Sequence, residues 1–217
     1  MTAPALAVDD VEHRLEGSRL WLRAGDHRVE LALTVVGQAA VDAATALVQQ
    51  RLVAGDTLEQ ASAVASSLAE IAGRTARRPL ANGAVLLDDT AAATALEVRA
   101  SLRVLADLTR GRGRSIAVLG ELDTEPADWF DDHDALGRIV VRLDVSQLVI
   151  VGQGARHIHN AAELEGSWDG ESILVDTLEQ AYDVVRAQVD VGDVVLVSAA
   201  SVTPLDRLVA WLVEADR

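Results

Sequence analysis

Three short segments hold the residue types from which a binding site is built: Gly120-Glu121-Leu122-Asp123, Gly152-Gln153-Gly154 and Ser198-Ala199-Ala200-Ser201. Each follows an apolar run that reads as a strand. In open α/β sheets ligands bind beyond the carboxyl ends of the strands. A glycine at a strand exit permits a tight turn into a helix whose free amides can hold an anion. Neither glycine loop completes a dinucleotide or P-loop fingerprint, so a structural turn is the first reading and a phosphate site the second. Between Asp123 and Asp134 stand six carboxylates in twelve residues. Such a run can gather a hard cation, but it lacks calcium-loop spacing and reads as a solvated acidic loop. Trp129 and Phe130 lie inside it, either as a docking point or as a pair folded back onto the core. His133, His157 and His159 are candidates for acid–base or metal chemistry. His157 and His159 are two apart on a predicted helix and face different directions, and His133 lies in a first helical turn; all three read as structural. No serine sits in a nucleophile elbow, and no carboxylate pair follows from spacing. The residues by themselves give no catalytic set and no metal site.

Composition removes further chemistries. All 19 basic residues are arginine, so a Walker lysine, a Schiff base and a carbamylated lysine are excluded. There is no cysteine, hence no disulfide or thiolate. A net charge of −15 argues against nucleic acid and anionic membrane surfaces, which need a basic face. No apolar run approaches the roughly 18 residues of a membrane span, and no signal-type stretch opens the sequence. The chain reads as cytoplasmic.

The elements that would position these residues follow from periodicity. Leu20 and Leu22, then Val29, Leu31 and Leu33, alternate around Ala24-Gly25-Asp26 and predict a hairpin. Val41, Ala44, Val48 and Leu52 predict a helix. A second helix, with Leu58, Ala61, Ala65, Leu68 and Ala72 on one face, starts at a capping signature, Asp56 to Gln60. Gly83 to Leu87 reads as a buried strand. From about residue 94, short apolar strands (116–119, 148–151, 173–175, 194–197) alternate with amphipathic helices. That pattern means a mainly parallel sheet with helices on both faces, preceded by a small mixed α/β unit. The expected division is 1–88 and 89–217. Asp-Thr-Leu-Glu-Gln-Ala occurs at 56–61 and again at 176–181, one helix-start chemistry used twice.

The order of these pieces resembles the Mur ligase family. Gly37 to Ala46 is similar to a helix late in the family's central, ATP-binding domain. Gly73-Arg74, Leu80 to Ala84 and Asp88-Asp89-Thr90 resemble the crossing into the C-terminal domain. Gly120-Glu121, with His133 thirteen residues on and Gly137 four further, matches the spacing of the D-alanyl-D-alanine-adding branch. Gly192 to Val197 resembles the last strand. The resemblance implies ATP and magnesium as the family's cofactors. It also implies ligand-binding positions at Arg74, Asp89, Gly120, His133 and Gly152.

The departures cluster at the nucleotide. Ala39 and Ala43 stand where the family has a histidine and an asparagine facing it. Thr90-Ala91-Ala92-Ala93-Thr94-Ala95 replaces a polar segment, and Ser198-Ala199-Ala200 replaces Lys-Gly-Ser. The expectation is therefore a non-catalytic Mur-ligase-like binding or regulatory protein of peptidoglycan synthesis, with no cofactor. The alternatives are the C-terminal portion of an ATP-dependent amide ligase and a small-molecule-binding α/β module. With no P-loop sheet to cover Leu31, Leu33, Val48, Leu52 and Leu68, residues 18–88 are expected to carry self-association or a protein partner.

Overall fold

The computed structural model describes residues 5–165, 168–199 and 201–214. Chain contacts divide it between Ile71 and Ala72 into two units.

The first unit begins with three antiparallel strands, β1 (Leu6–Arg14), β2 (Gly17–Ala24) and β3 (His27–Leu33), in that order. The predicted hairpin is β2–β3, with Ala24 opposite His27. Helices α1 (Gln38–Val53) and α2 (Leu58–Ala65) follow. Leu20, Leu22, Leu31 and Leu33 form one core with Val41, Ala44, Val48 and Leu52 of α1 and Leu58, Ala61 and Ala65 of α2. Each such leucine contributes roughly 1.5–3 kcal/mol on burial. Helix α2 is shorter than the apolar period suggests. It stops at Ser66 and Ser67, whose hydroxyls donate back to the carbonyls of Ala63 and Val64, local bonds that compete with further helix.

Two expectations are corrected here. Leu31, Leu33, Val48 and Leu52 are at most 7% exposed and Leu68 packs partly against them, so the uncovered apolar face invoked for a partner through residues 18–88 is not formed by these side chains. The division expected after residue 88 also moves earlier. Strands β4 (Ala76–Pro79) and β5 (Val85–Asp89) belong to the second unit's sheet.

Among the described residues that sheet has six strands in the order β4-β5-β9-β6-β7-β8. The later elements are α3 (Ala95–Thr109), β6 (Ser115–Leu119), α4 (Trp129–Arg142), β7 (Gln147–Val151), α5 (Arg156–Leu164), β8 (Glu171–Val175), α6 (Leu178–Gln188), β9 (Val194–Ser198) and α7 (Leu205–Glu214). Only β4 runs antiparallel; β5, β9, β6, β7 and β8 are mutually parallel. The strands read as continuous apolar runs because they are covered on both faces. Leu86, Val118, Val149 and Val197 pack with Leu178, Val185, Leu205 and Leu208 of α6 and α7, while α3 and α5 lie against the strands from the other side. Thr57–Gln60 and Thr177–Gln180, within the repeated hexapeptide, both form reciprocal capping boxes. Among the described residues no helix is long and apolar enough to cross a membrane.

Candidate functional site

Chain order places the last strand, β9, between β5 and β6, so that the carboxyl ends of these three parallel strands lie side by side. The carboxyl edge is where an open α/β sheet holds its ligands. Asp89, the last residue of β5, lies beside Ser198, the last of β9. The Asp89 carboxylate is 2% exposed. Its Oδ2 accepts the Ser198 hydroxyl at 2.7 Å and its Oδ1 the Thr75 amide at 3.1 Å. Burial pushes its pKa up to about 6, against hydrogen bonds from Ser198, Ser101 and Thr75 and the Arg74 charge, which lower it. Thr75 meets it from a left-handed conformation, φ 53°, unfavourable for a β-branched residue.

Arg74 points its charge elsewhere. Its Nη1 donates to Glu97 Oε1 at 2.6 Å. Glu97 is also the returning arm of the α3 capping box and accepts the amides of Ala93 and Thr94. Its partial burial favours the protonated acid, yet the bonds from Ala93, Arg74 and Thr94 hold its pKa down to about 2. One arginine and one cap thus fasten the turn after β5.

Gly120 follows β6 where Ala199 and Thr203 come too near for a side chain. A Cβ there would lie 2.4 Å from the Ala199 carbonyl oxygen and 2.8 Å from Thr203 Cβ. The Glu121 amide donates to Thr203 Oγ1 at 3.4 Å. The Glu121 carboxylate presses on Gly154, where a Cβ would fall 1.9 Å from Oε2, and its Oε1 accepts Trp129 Nε1–H at 3.1 Å. Gly152, at φ 88°, donates its amide to the Val175 carbonyl at 2.8 Å and turns the chain into the 3-10 segment Gln153–Ala155.

His133 is fully buried. Its Nε2 accepts the Leu122 amide at 3.2 Å, so Nδ1 carries the proton and donates to the Trp129 carbonyl at 2.6 Å. The tautomer is assigned from these partners. Burial lowers its pKa and keeps it neutral, against the Trp129 bond and the nearby Glu121 and Asp132 charges. His133 therefore ties the β6 exit loop to the first turn of α4. Replacing it by phenylalanine fills the ring's space but strands a buried amide and a carbonyl. The expected loss is about 2–4 kcal/mol, measured by urea unfolding at pH 8; a loss below roughly 0.5 kcal/mol, the range of ordinary surface changes, would contradict this role.

Trp129 and Phe130 divide between the two readings open from sequence. Trp129 folds back against His133 and His157, while Phe130 packs edge-on to His157 and stays 53% exposed. His159 Nδ1 pairs with Ser172 Oγ at 2.7 Å. The five site residues named from sequence thus lie at or near the strand exits, and Ser198, also named there, is joined to Asp89; their other partners, Thr75, Ser101, Glu97 and Thr203, the sequence did not single out. Of these, Glu97 carried a readable signal, the capping signature Thr94-Ala95-Leu96-Glu97. Ala39 and Ala43 lie one turn apart on α1, both half-buried.

Comparison with known proteins extends this geometry. The family described as "Mur ligase, glutamate ligase domain" matches residues 73–201. A UDP-N-acetylmuramoyl-tripeptide–D-alanyl-D-alanine ligase of Mycobacterium leprae is 39% identical over 146 residues, covering 61% of this chain and 28% of that protein. The protein of the same name from Mycobacterium tuberculosis is 33% identical over 215 residues, 91% of this chain and 42% of its own length. The chain thus spans less than half the length of these relatives. Among solved structures, MurF from Acinetobacter baumannii superposes with a TM-score of 0.77 at 23% identity, over 96% of this chain and 45% of that one. MurF from Thermotoga maritima in complex with ADP gives 0.77 at 20% identity, over 97% and 46%. At such identities the likeness is one of fold.

Proposed function

Because this chain belongs to the Mur ligase family, we propose that it is a non-catalytic member, a binding or regulatory module of peptidoglycan synthesis that runs no ATP-dependent ligation of its own. The observation that carries this reading is the internal use of the strand-exit groups. Asp89 is enclosed by Ser198 and Thr75, Arg74 is held by Glu97, both nitrogens of His133 are engaged, and Gly120 is covered by Ala199 and Thr203. A magnesium nucleotide needs free cationic charge and backbone donors for its phosphates and open carboxylates for its metal. The residues present do not fit it. Ala39 and Ala43 offer methyl groups, Asp89 is 2% exposed, and among the described residues no group of three or more His, Asp or Glu is gathered to hold a cation.

A second reading rests on the 39% identity over 146 residues: that this is the acceptor-side portion of an ATP-dependent ligase acting with a nucleotide-binding portion. One assay separates the two. The chain is incubated with ATP, magnesium, UDP-N-acetylmuramoyl-tripeptide and D-alanyl-D-alanine, alone and together with the remaining N-terminal portion of the Mycobacterium tuberculosis relative, and phosphate release is followed. The expected rate in both mixtures equals the background measured without this chain. Phosphate release that requires both substrates would establish the ligase reading instead.

A further inference from the structure

We propose that the cleft at the amino ends of β6 and β7 binds a small oxyanion, the phosphate or carboxylate group of a ligand, through Arg142 and Arg110. This cleft of about 390 Å³ lies at the opposite end of the sheet from the strand exits. It is independent of the reading above. Ser115 and Ser146, at the heads of the two strands, line it together with Arg110, which caps the C-terminus of α3, and Arg142 in the last turn of α4.

The two serines leave a donor over. The Ser115 amide donates to Ser146 Oγ at 3.2 Å, the Ser146 amide donates to Ser115 Oγ at 3.0 Å, and the two oxygens stand 3.4 Å apart. Only one of the two hydroxyl hydrogens can lie between those oxygens, so the other requires an acceptor outside the pair. Both serines face the cleft, where a ligand oxygen would supply it.

Charge points the same way. In a chain of net charge −15, residues 110–114 hold three arginines and no acid. Arg114 is committed to Asp193 at 2.7 Å. Arg110 meets Asp107 at 3.0 Å in an ion pair whose arginine is 80% exposed, the kind that contributes little and is readily shared. The Arg142 side chain forms no ion pair or hydrogen bond among the described residues. Gly111 and Gly113 bring bare backbone to the lining. A guanidinium fork suits phosphate and carboxylate alike. Asp144 on the lining and the carboxyl ends of α3 and α4 oppose an anion. Binding therefore depends on the arginines and not on the cleft's shape alone.

The test is an amide NMR titration of the full chain, separately with inorganic phosphate and with malonate. The expected result is a saturable shift of the Gly111, Gly113, Ser115 and Ser146 amides, and the tighter of the two ions names the ligand chemistry. Arg142→Gln, a surface change that leaves the fold intact, should weaken that binding at least tenfold. Arg19→Gln in the smaller unit should leave it unchanged. Shifts that grow linearly with concentration, spread over arginines elsewhere, or persist undiminished in Arg142→Gln would overturn the proposal.

Discussion

Valine at position 137 is expected to unfold the larger unit at ordinary temperature, and alanine there to lower its melting midpoint by several degrees. Gly137 is where α4 and α5 touch. A Cβ at that position would stand 2.3 Å from the Ile158 carbonyl oxygen, 2.7 Å from Ala161 Cβ and 3.0 Å from the Ala162 amide nitrogen. Two of these atoms are backbone and cannot swing aside, so α4 must lift off α5. Alanine gains about 1 kcal/mol of helix propensity over glycine. Overpacking of this kind costs about 1–3 kcal/mol and occasionally more, and the carbonyl contact puts Gly137→Ala at the upper end. Each net kcal/mol shifts the midpoint by about 2–4 °C in a chain of this size. Valine adds two methyl groups to the same overlap, as well as a χ1 restriction in the helix. Thermal unfolding followed by circular dichroism reads both variants. Gly137→Ala as stable as the parent would mean that the two helices stand further apart than described.

The second large effect is a stability profile with an unusual sign. Asp89 has a folded pKa of about 6, above the ordinary 3.8. The folded state therefore binds its proton more tightly than the unfolded state. The stability this gives is fully present below about pH 4 and is lost as pH rises through 6. The difference corresponds to about 3 kcal/mol, as an order of magnitude. His133, with its pKa lowered by burial, acts oppositely, since its contribution is lost as pH falls below its ordinary 6.5. Asp193 and Glu97 lose theirs only in acid, where burial is outweighed by the Arg114 bond to Asp193 and by the Ala93 and Arg74 bonds to Glu97. The Asp89 contribution is isolated by comparing the parent with Asp89→Asn. The asparagine carbonyl still accepts the Thr75 amide, and Ser198 can reorient to accept from the new amide. Urea unfolding should find Asp89→Asn more stable than the parent by about 1–3 kcal/mol at pH 8, with the gap closing toward pH 5. A gap that does not change between pH 5 and 8 would show that Asp89 is not desolvated.

The parallel sheet was legible because strands buried on both sides are written as unbroken apolar runs, as at 116–119, 148–151 and 194–197. Strand β1 was not, since Asp9, Asp10 and Glu12 interrupt it, it lies at a sheet edge, and its register shifts between Val8 and Asp10. Strand β4 is another edge, built from two arginines and a proline. The unit boundary was misplaced for a different reason. Residues 85–88 of β5 find their neighbours in β9, Val85 opposite Val194 and Asp88 opposite Val197, and no local pattern announces a pairing of that span. The candidate site shows the same division. Glycines, Ser198 and Asp89 at strand exits can be located from periodicity and resemblance, but whether a carboxylate there is free or enclosed depends on how Ser198, Ser101 and Thr75 meet it, which no local pattern shows.

The claim that the strand-exit groups are used internally is tested most directly by calorimetry of the full chain with ATP and magnesium. No saturable heat is expected at tens of micromolar protein and millimolar nucleotide, and Arg74→Ala should leave the trace unchanged. Micromolar affinity for ATP·Mg, abolished by Arg74→Ala, would show that Arg74 leaves Glu97 for a phosphate and would contradict the account.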